Sequence, residues 1–261
     1  MLFPSKGTWG EDRIFSGNNF CGVIDGSTPI DKTPINKYHT QAEWFADCMK
    51  NHLENTKDID DFSGKCLQGT NLIKNSNEIH IIPEIYNLPA ATIAAVVESD
   101  GLLKGYVLGD CTILIKLKDG EIKTVTDKRI SNFSKLTIEA KKEAILNSQN
   151  VKTAVRNQMI KNRTMMNTEN GFWTLATTGD YAKEFQTIAL STEDVERCLI
   201  YTDGLNQICE MNNIKERDLL TKSDISTIVR KLLKTTKQDI NNTHHVKAID
   251  DIGFILTKIC T

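Results

Sequence analysis

The chain has 261 residues, of which 39% are hydrophobic and 25% charged, and its 32 basic and 34 acidic side chains leave a formal net charge of −2. That length can bury a substantial core, while near-neutral, dispersed charge excludes the basic stripe that a nucleic acid or an anionic membrane would need. No apolar run approaches the roughly 20 residues that span a bilayer, the opening MLFPSKGTWGED has no secretion-signal shape, and the seven cysteines form no CxxC pair and read as reduced core thiols. The expectation is a cytoplasmic monomer without membrane or nucleic-acid partners. With five prolines and no repeat or low-complexity tract, residues 1–261 are expected to form a single domain.

A short strand candidate, Arg13-Ile14-Phe15, comes first, followed by the apolar run Phe20–Ile24, which enters Asp25-Gly26. Thr40 and Glu43 have the spacing of a capping box. Ala42, Phe45, Ala46, Met49 and Leu53 then recur at helical spacing. Phe62 to Lys74 reads as a weaker helix with Phe62, Cys66 and Ile73 inward. Next come strands at Ala91–Glu98, Leu103–Leu108, Thr112–Lys118 and Ile122–Val125. The connections between them are too short for helical crossovers, so they are expected to form one antiparallel meander.

Two helices are expected over 135–149 and 151–166, the second with Val151, Ala154, Val155 and Met159 on one face. Strands return at Gly171–Ala176, Gln186–Leu190 and Arg197–Tyr201, and a helix spans 223–236. The last strand, 252–259, carries apolar residues on both faces and is expected inside a sheet buried on both sides. Strands in hairpin-like groups with helix pairs between them predict an α+β layered sandwich of antiparallel sheets.

One pattern recurs along the chain. An apolar strand ends in Asp beside Gly at Val23-Ile24-Asp25-Gly26, Val107-Leu108-Gly109-Asp110 and Ile200-Tyr201-Thr202-Asp203-Gly204. Glu11-Asp12 and Asp250-Asp251 each precede a strand. Any single Asp-Gly is an ordinary turn, and Asp100-Gly101 and Asp119-Gly120 read that way. Together, carboxylates at strand ends can converge on one sheet edge, where only cations would relieve their repulsion. An all-oxygen donor set suits Mg²⁺ or Mn²⁺ and suits zinc poorly. Two such ions can clamp a phosphoryl group and activate a shared water. No Cys-Arg phosphate loop, HExxH, GxSxG or dinucleotide fingerprint offers another chemistry.

In its order and spacing this series, from residue 11 to 259, resembles the metal-dependent serine/threonine protein phosphatases of type 2C. The resemblance implies a four-layer α-β-β-α sandwich, two antiparallel sheets flanked by helix pairs. It implies hydrolysis of phosphoserine and phosphothreonine in phosphorylated proteins through a metal-bridging water. It also implies two Mn²⁺ or Mg²⁺ ions and a third, weaker one. By motif, Asp25 would bridge two ions and the Gly26 carbonyl would ligate one. Asp203 and Asp250 would hold the first, Glu11 the second, and Asp110 the third, with Asp12 orienting water. Asp251 stands where the family usually has Asn, which favours Asp250 as the ligand. Residues 127–170 would form a flap over the site.

Three positions depart from the family pattern. Gly7 stands where an arginine commonly grips the substrate phosphate, and Lys6 beside it is the candidate substitute. Ser27 stands in the place of a histidine proposed as general acid, and none of His39, His52, His80, His244 and His245 sits in a position that selects it. Cys111 follows Asp110 where Ser is common. Two other functions stay open on these grounds: a non-catalytic binding module on the same fold, and a phosphatase of a small phosphorylated metabolite.

Overall fold

Alternation along the strands sorts the apolar residues into three stacked cores. In the computed structural model, which describes residues 1–5, 10–82, 84–222, 224–236 and 250–259, β1 is Leu2–Phe3, β2 Arg13–Ser16, β3 Phe20–Gly26, β4 Ala90–Ser99, β5 Leu102–Leu108, β6 Thr112–Leu117, β7 Ile122–Thr126, β8 Leu175–Ala176, β9 Gln186–Ser191, β10 Val195–Tyr201 and β11 Ile252–Lys258. The helices are α1 Gln41–Glu54, α2 Phe62–Lys74, α3 Arg129–Leu146, α4 Val151–Thr164, α5 Asp203–Met211, α6 Glu216–Leu219 and α7 Ile225–Thr236.

One sheet has the order β2-β3-β4-β5-β9, with β8 paired to β4, and the other has the order β1-β11-β10-β6-β7. Every pairing is antiparallel. Ile93, Ala95 and Val97 of β4 point to α1 and α2, while Ala94 and Val96 point to the second sheet. Leu199 and Tyr201 of β10 and Ile252 and Phe254 of β11 pack on α5 and α7, while Cys198 and Ile200 face the first sheet. The result is the expected four-layer α+β sandwich. As expected, β11 is apolar on both faces, and it lies inside its sheet between β1 and β10. The six described cysteines are free thiols, and among the described residues no helix is long and apolar enough to cross a membrane.

The expected continuous meander is broken in the middle. β4 and β5 form a hairpin through Asp100 and Gly101, both at positive φ, and β6 and β7 form another. β5 and β6, however, belong to opposite sheets. The chain crosses between them at Gly109, whose φ of 86° is open to glycine at little cost. Two strands apolar on both faces bury more surface by each lining the inter-sheet core than by pairing with each other. The crossing sets Asp110 at the sheets' common rim.

The capping box also forms differently from expectation. Thr40 accepts the Glu43 amide at 3.1 Å, but the Glu43 carboxylate accepts the amide of His39, at 2.8 Å, and not that of Thr40. α3 begins at Arg129, six residues before the expected start. The expected apolar face of α4 is only half-buried, and no α4 residue is fully buried. The α3–α4 pair is tied down chiefly by polar contacts, such as Asn162 Nδ2 donating to the Phe133 carbonyl at 2.8 Å. Few buried apolar contacts make such a pair the part of a fold that opens most readily.

Candidate metal centre

The acidic positions come together because of strand register. Arg13 pairs with Ile24, so Asp12 and Asp25 are the next residues of neighbouring strands. Asp25 pairs with Thr92, close to the crossing at Asp110. In the other sheet Tyr201 is opposite both Thr112 and Phe254, which brings Asp203 to the rim beside Asp250 and Asp110. Asp203, a candidate ligand of the first ion that the sequence places at a strand end, opens α5, where the helix N-terminus favours a negative charge.

The electrostatics reflect this crowding. Burial raises the Asp25 carboxyl well above the usual aspartate range, and the charges of Asp12, Asp203, Asp250 and Asp110 raise it further. Asp12 is raised by burial and then by Asp251, Asp250 and Asp203, against a hydrogen bond from Thr202 that lowers it. Asp110 is raised mainly by burial, with Asp250 and Asp127 adding to it. Like charges at close range in a poorly solvated place destabilise the site until protons or cations neutralise them.

Hydroxyls and amides hold several of these groups in place. Thr28 Oγ1 donates to Glu11 Oε2 at 2.6 Å, and Thr40 Oγ1 to Glu11 Oε1 at 2.8 Å. Thr202 Oγ1 donates to Asp12 Oδ2 at 2.7 Å and accepts the Gly253 amide at 2.9 Å. The Gly26 amide donates to the Glu11 carbonyl at 3.2 Å, joining the ends of β3 and the segment before β2. A Cβ on Gly204 would sit 1.9 Å from the Asp251 carbonyl oxygen, so the first turn of α5 can approach β11 only with glycine there.

Asp250 and Asp251 divide their roles. Asp251 is buried, and its two oxygens accept the amides of Ser5 and Glu11, each at 2.6 Å. It pins the N-terminal segment against the rim. The Asp250 amide donates to Gln207 of α5, and Asp250 Oδ1 accepts the Asp251 amide. Lys6 and Gly7 lie outside the described residues.

The donor set fits a hard divalent cation. Asp12, Asp25 and Asp110 form no ion pair with a cationic side chain among the described residues, and all the acidic donors are oxygens. Among the described residues, though, no three Asp, Glu, His or Cys side chains stand as a ready ligand set around one point. Such an arrangement suits an ion that keeps several of its waters, as Mg²⁺ does.

Sequence reasoning missed the supporting threonines and one arginine. In the sequence Thr202 reads only as part of a strand end, and Thr40 only as a cap. Arg163 of α4 donates from Nη2 to the carbonyls of Ser27 at 2.9 Å and Thr28 at 3.1 Å, the residues that follow Gly26. Burial pulls its guanidinium down to about 10, against the pull of Glu11, so it stays charged at neutral pH. At 137 positions from Gly26, no local pattern could reveal that contact.

The profile of the family described as protein phosphatase 2C matches residues 36–249, a span that includes Asp110 and Asp203 and leaves out Glu11, Asp12, Asp25, Gly26 and Asp250. No curated protein matches the chain. Among solved structures, the serine/threonine phosphatase PstP/Ppp of Mycobacterium tuberculosis is 14% identical, with a TM-score of 0.55, over 97% of this chain and 93% of that one. The serine/threonine phosphatase Stp1 of Staphylococcus aureus is 14% identical, with a TM-score of 0.58, over 100% and 94%. The catalytic domain of PstP in complex with two manganese ions is 14% identical, with a TM-score of 0.53, over 99% and 95%. At such identities the likeness is one of fold.

Proposed function

The chain belongs to the protein phosphatase 2C family of metal-dependent serine/threonine phosphatases, and from that premise we propose that it hydrolyses phosphoserine and phosphothreonine in proteins at the acidic rim. One observation supports this most. Carboxylates delivered by strand ends of both sheets, Asp12, Asp25, Asp110, Asp203 and Asp250, lie within electrostatic reach of one another, and Asp12, Asp25 and Asp110 have no ion-paired cation among the described residues. A fold maintains such repulsion only where a cation is part of the working state.

In this reading Asp25 would help hold both of two Mn²⁺ or Mg²⁺ ions, and the Gly26 carbonyl would help hold one. Asp203 and Asp250 would serve the first, Glu11 the second, and Asp110 a third, weaker site. Divalent ions bound there would lower the pKa of a shared water and offset charge on the phosphoryl oxygens. The chain's own residues fix the geometry. Thr28 and Thr40 hold both oxygens of Glu11, so its carboxylate needs no reorganisation when an ion arrives. Asp12, held by Thr202, would orient the attacking water. Ser27 brings no imidazole, so a proton for the leaving alkoxide must come from water. The whole chain, 1–261, would act as one catalytic domain, as a monomer.

The test is turnover of p-nitrophenyl phosphate and of a phosphothreonine peptide with Mn²⁺, with Mg²⁺ and with excess EDTA. Metal-dependent release of phosphate, lost in Asp25→Ala, is the expected result. A folded protein with no metal-dependent turnover on either substrate would sink the reading.

A further inference from the structure

Among the described residues, the carboxylates of the acidic rim repel a dianionic phosphate ester. A cationic group is nevertheless close by. Arg163 reaches from α4 to the Ser27 and Thr28 carbonyls, directly after Gly26. Arg13, Arg129, Arg156 and Arg197 each pair with a carboxylate, whereas Arg163 has no ion pair among the described residues. Its Nη2 is occupied by the two carbonyls and its Nη1 lies 3.9 Å from Met166 Sδ, a weak acceptor. A guanidinium has five N–H donors, and among the described residues no oxygen takes those of Nε and Nη1.

Arg163 is also reachable. With Ser27, Phe133, Met159, Asn162 and Phe172 it lines a cavity of about 230 Å³ between α3, α4 and the Ser27 turn. The cavity runs from the chain beside Gly26 to an apolar wall of Phe133, Met159 and Phe172. A partly buried guanidinium with no ion pair among the described residues, on the wall of a cleft beside the acidic rim, is the arrangement that planar, charge-assisted recognition of an anion uses.

We propose that Arg163 is the residue that engages the phosphoryl group of the substrate, reaching the acidic rim from the side of the α3–α4 cavity. The proposal rests on the reading above that phosphate esters are the substrates. The alternative role for Arg163 is mechanical: its carbonyl contacts alone would hold the turn after Gly26 in place.

Steady-state kinetics on p-nitrophenyl phosphate with Mn²⁺, together with inhibition by inorganic phosphate, separate the two roles. Arg163→Ala is expected to raise KM and the phosphate inhibition constant at least about tenfold, the effect of losing one charge-assisted contact. Its Mn²⁺ activation midpoint is expected to stay within about twofold. Arg163→Lys, which keeps the charge without the planar group, should fall between. Arg156→Ala, which cuts the other arginine tie of the same helix, to Asp31, should leave the phosphate inhibition constant unchanged.

An unchanged phosphate constant in Arg163→Ala, with a shifted Mn²⁺ midpoint and a lower kcat, would overturn the proposal in favour of the mechanical role. If Arg163→Ala does not fold, the same comparison in Arg163→Lys decides. If the wild-type protein shows no turnover, the functional reading fails, and calorimetric titration of inorganic phosphate into the Mn²⁺-loaded protein and its Arg163 variants still tests the contact.

Discussion

The Thr40 hydroxyl donates to Glu11 Oε1 at 2.8 Å while accepting the backbone amide of Glu43 at 3.1 Å. One buried hydroxyl thus caps α1 and aims an acidic side chain of the rim. The two roles are separable by mutation. Thr40→Ala removes both contacts and should cost about 1–2 kcal/mol of stability, the usual loss for a helix cap. Thr40→Ser retains an oxygen for both and should recover most of that loss in urea melts. If Glu11 serves an ion, the Mn²⁺ activation midpoint should rise in Thr40→Ala and return in Thr40→Ser. A stability loss with an unmoved midpoint would show that the cap alone matters.

Gly204 offers a test of how α5 and β11 hold the rim together. A methyl group there would lie 1.9 Å from the Asp251 carbonyl oxygen, a backbone atom that cannot swing aside. Gly204→Ala must therefore push the first turn of α5 away from β11. Strain of this kind costs about 1–3 kcal/mol, and the move carries Asp203 away from Asp250. The expected outcome is a lower urea midpoint with a weakened Mn²⁺ response. Gly120→Ala is the reference for positional strain. Gly120 has a φ of 94° and nothing near its Cβ position, so that variant should lose stability without touching the metal response.

Asp25 is buried, and four other aspartates repel its charge. Removing its charge should relieve the metal-free protein and disable the loaded one. Asp25→Asn is expected to raise the metal-free Tm, because burial and four neighbouring aspartates all oppose its charge. The same variant should lose the Tm increase that Mn²⁺ is expected to give the wild type by binding to the native state alone. Thermal shift assays with and without Mn²⁺ check both. A variant less stable than wild type in EDTA would show that Asp25 is a structural residue and not a strained one.

Much of the architecture can be read in the sequence because alternation shows which strand faces are buried. β11, apolar on both sides, and α1, with its cap and its Met49 and Leu53 stripe, are clear in the residues alone. The broken meander is not. Leu103–Leu108 and Thr112–Lys118 look the same whether they pair with each other or line opposite sheets, because the choice depends on which surfaces the rest of the chain supplies. α5 was missed because its nine residues carry only Leu205, Ile208 and Cys209 as an inward stripe, too short a run to establish a period. At the rim, the acidic positions announce themselves as strand ends. Their supports do not, since Thr202 meets Asp12 across 190 positions and Asp251 meets the Glu11 amide across 240.

The pH dependence of stability should change sign with metal. Asp12, Asp25 and Asp110 are all raised above the ordinary aspartate value, first by burial. A raised native pKa means that the folded protein holds more protons than the unfolded chain, from about pH 4 up to the raised value. Stability from these groups is therefore fully present below the unfolded pKa and is lost as pH climbs through the folded one. Acidifying the metal-free protein from about pH 7.5 to about pH 5.5 should raise its Tm. Asp47 works in the opposite sense. Burial raises it, but hydrogen bonds from Tyr38 and Arg13 bring it below its ordinary value, so its contribution begins to fade only at about pH 4 and below. With saturating Mn²⁺ the carboxylates are deprotonated around the ions, protons compete with the metal, and the same acidification should lower Tm. Melting curves in EDTA and in Mn²⁺ across that range should slope in opposite directions. Parallel slopes would mean that the rim acids hold neither the protons nor the cations assigned to them.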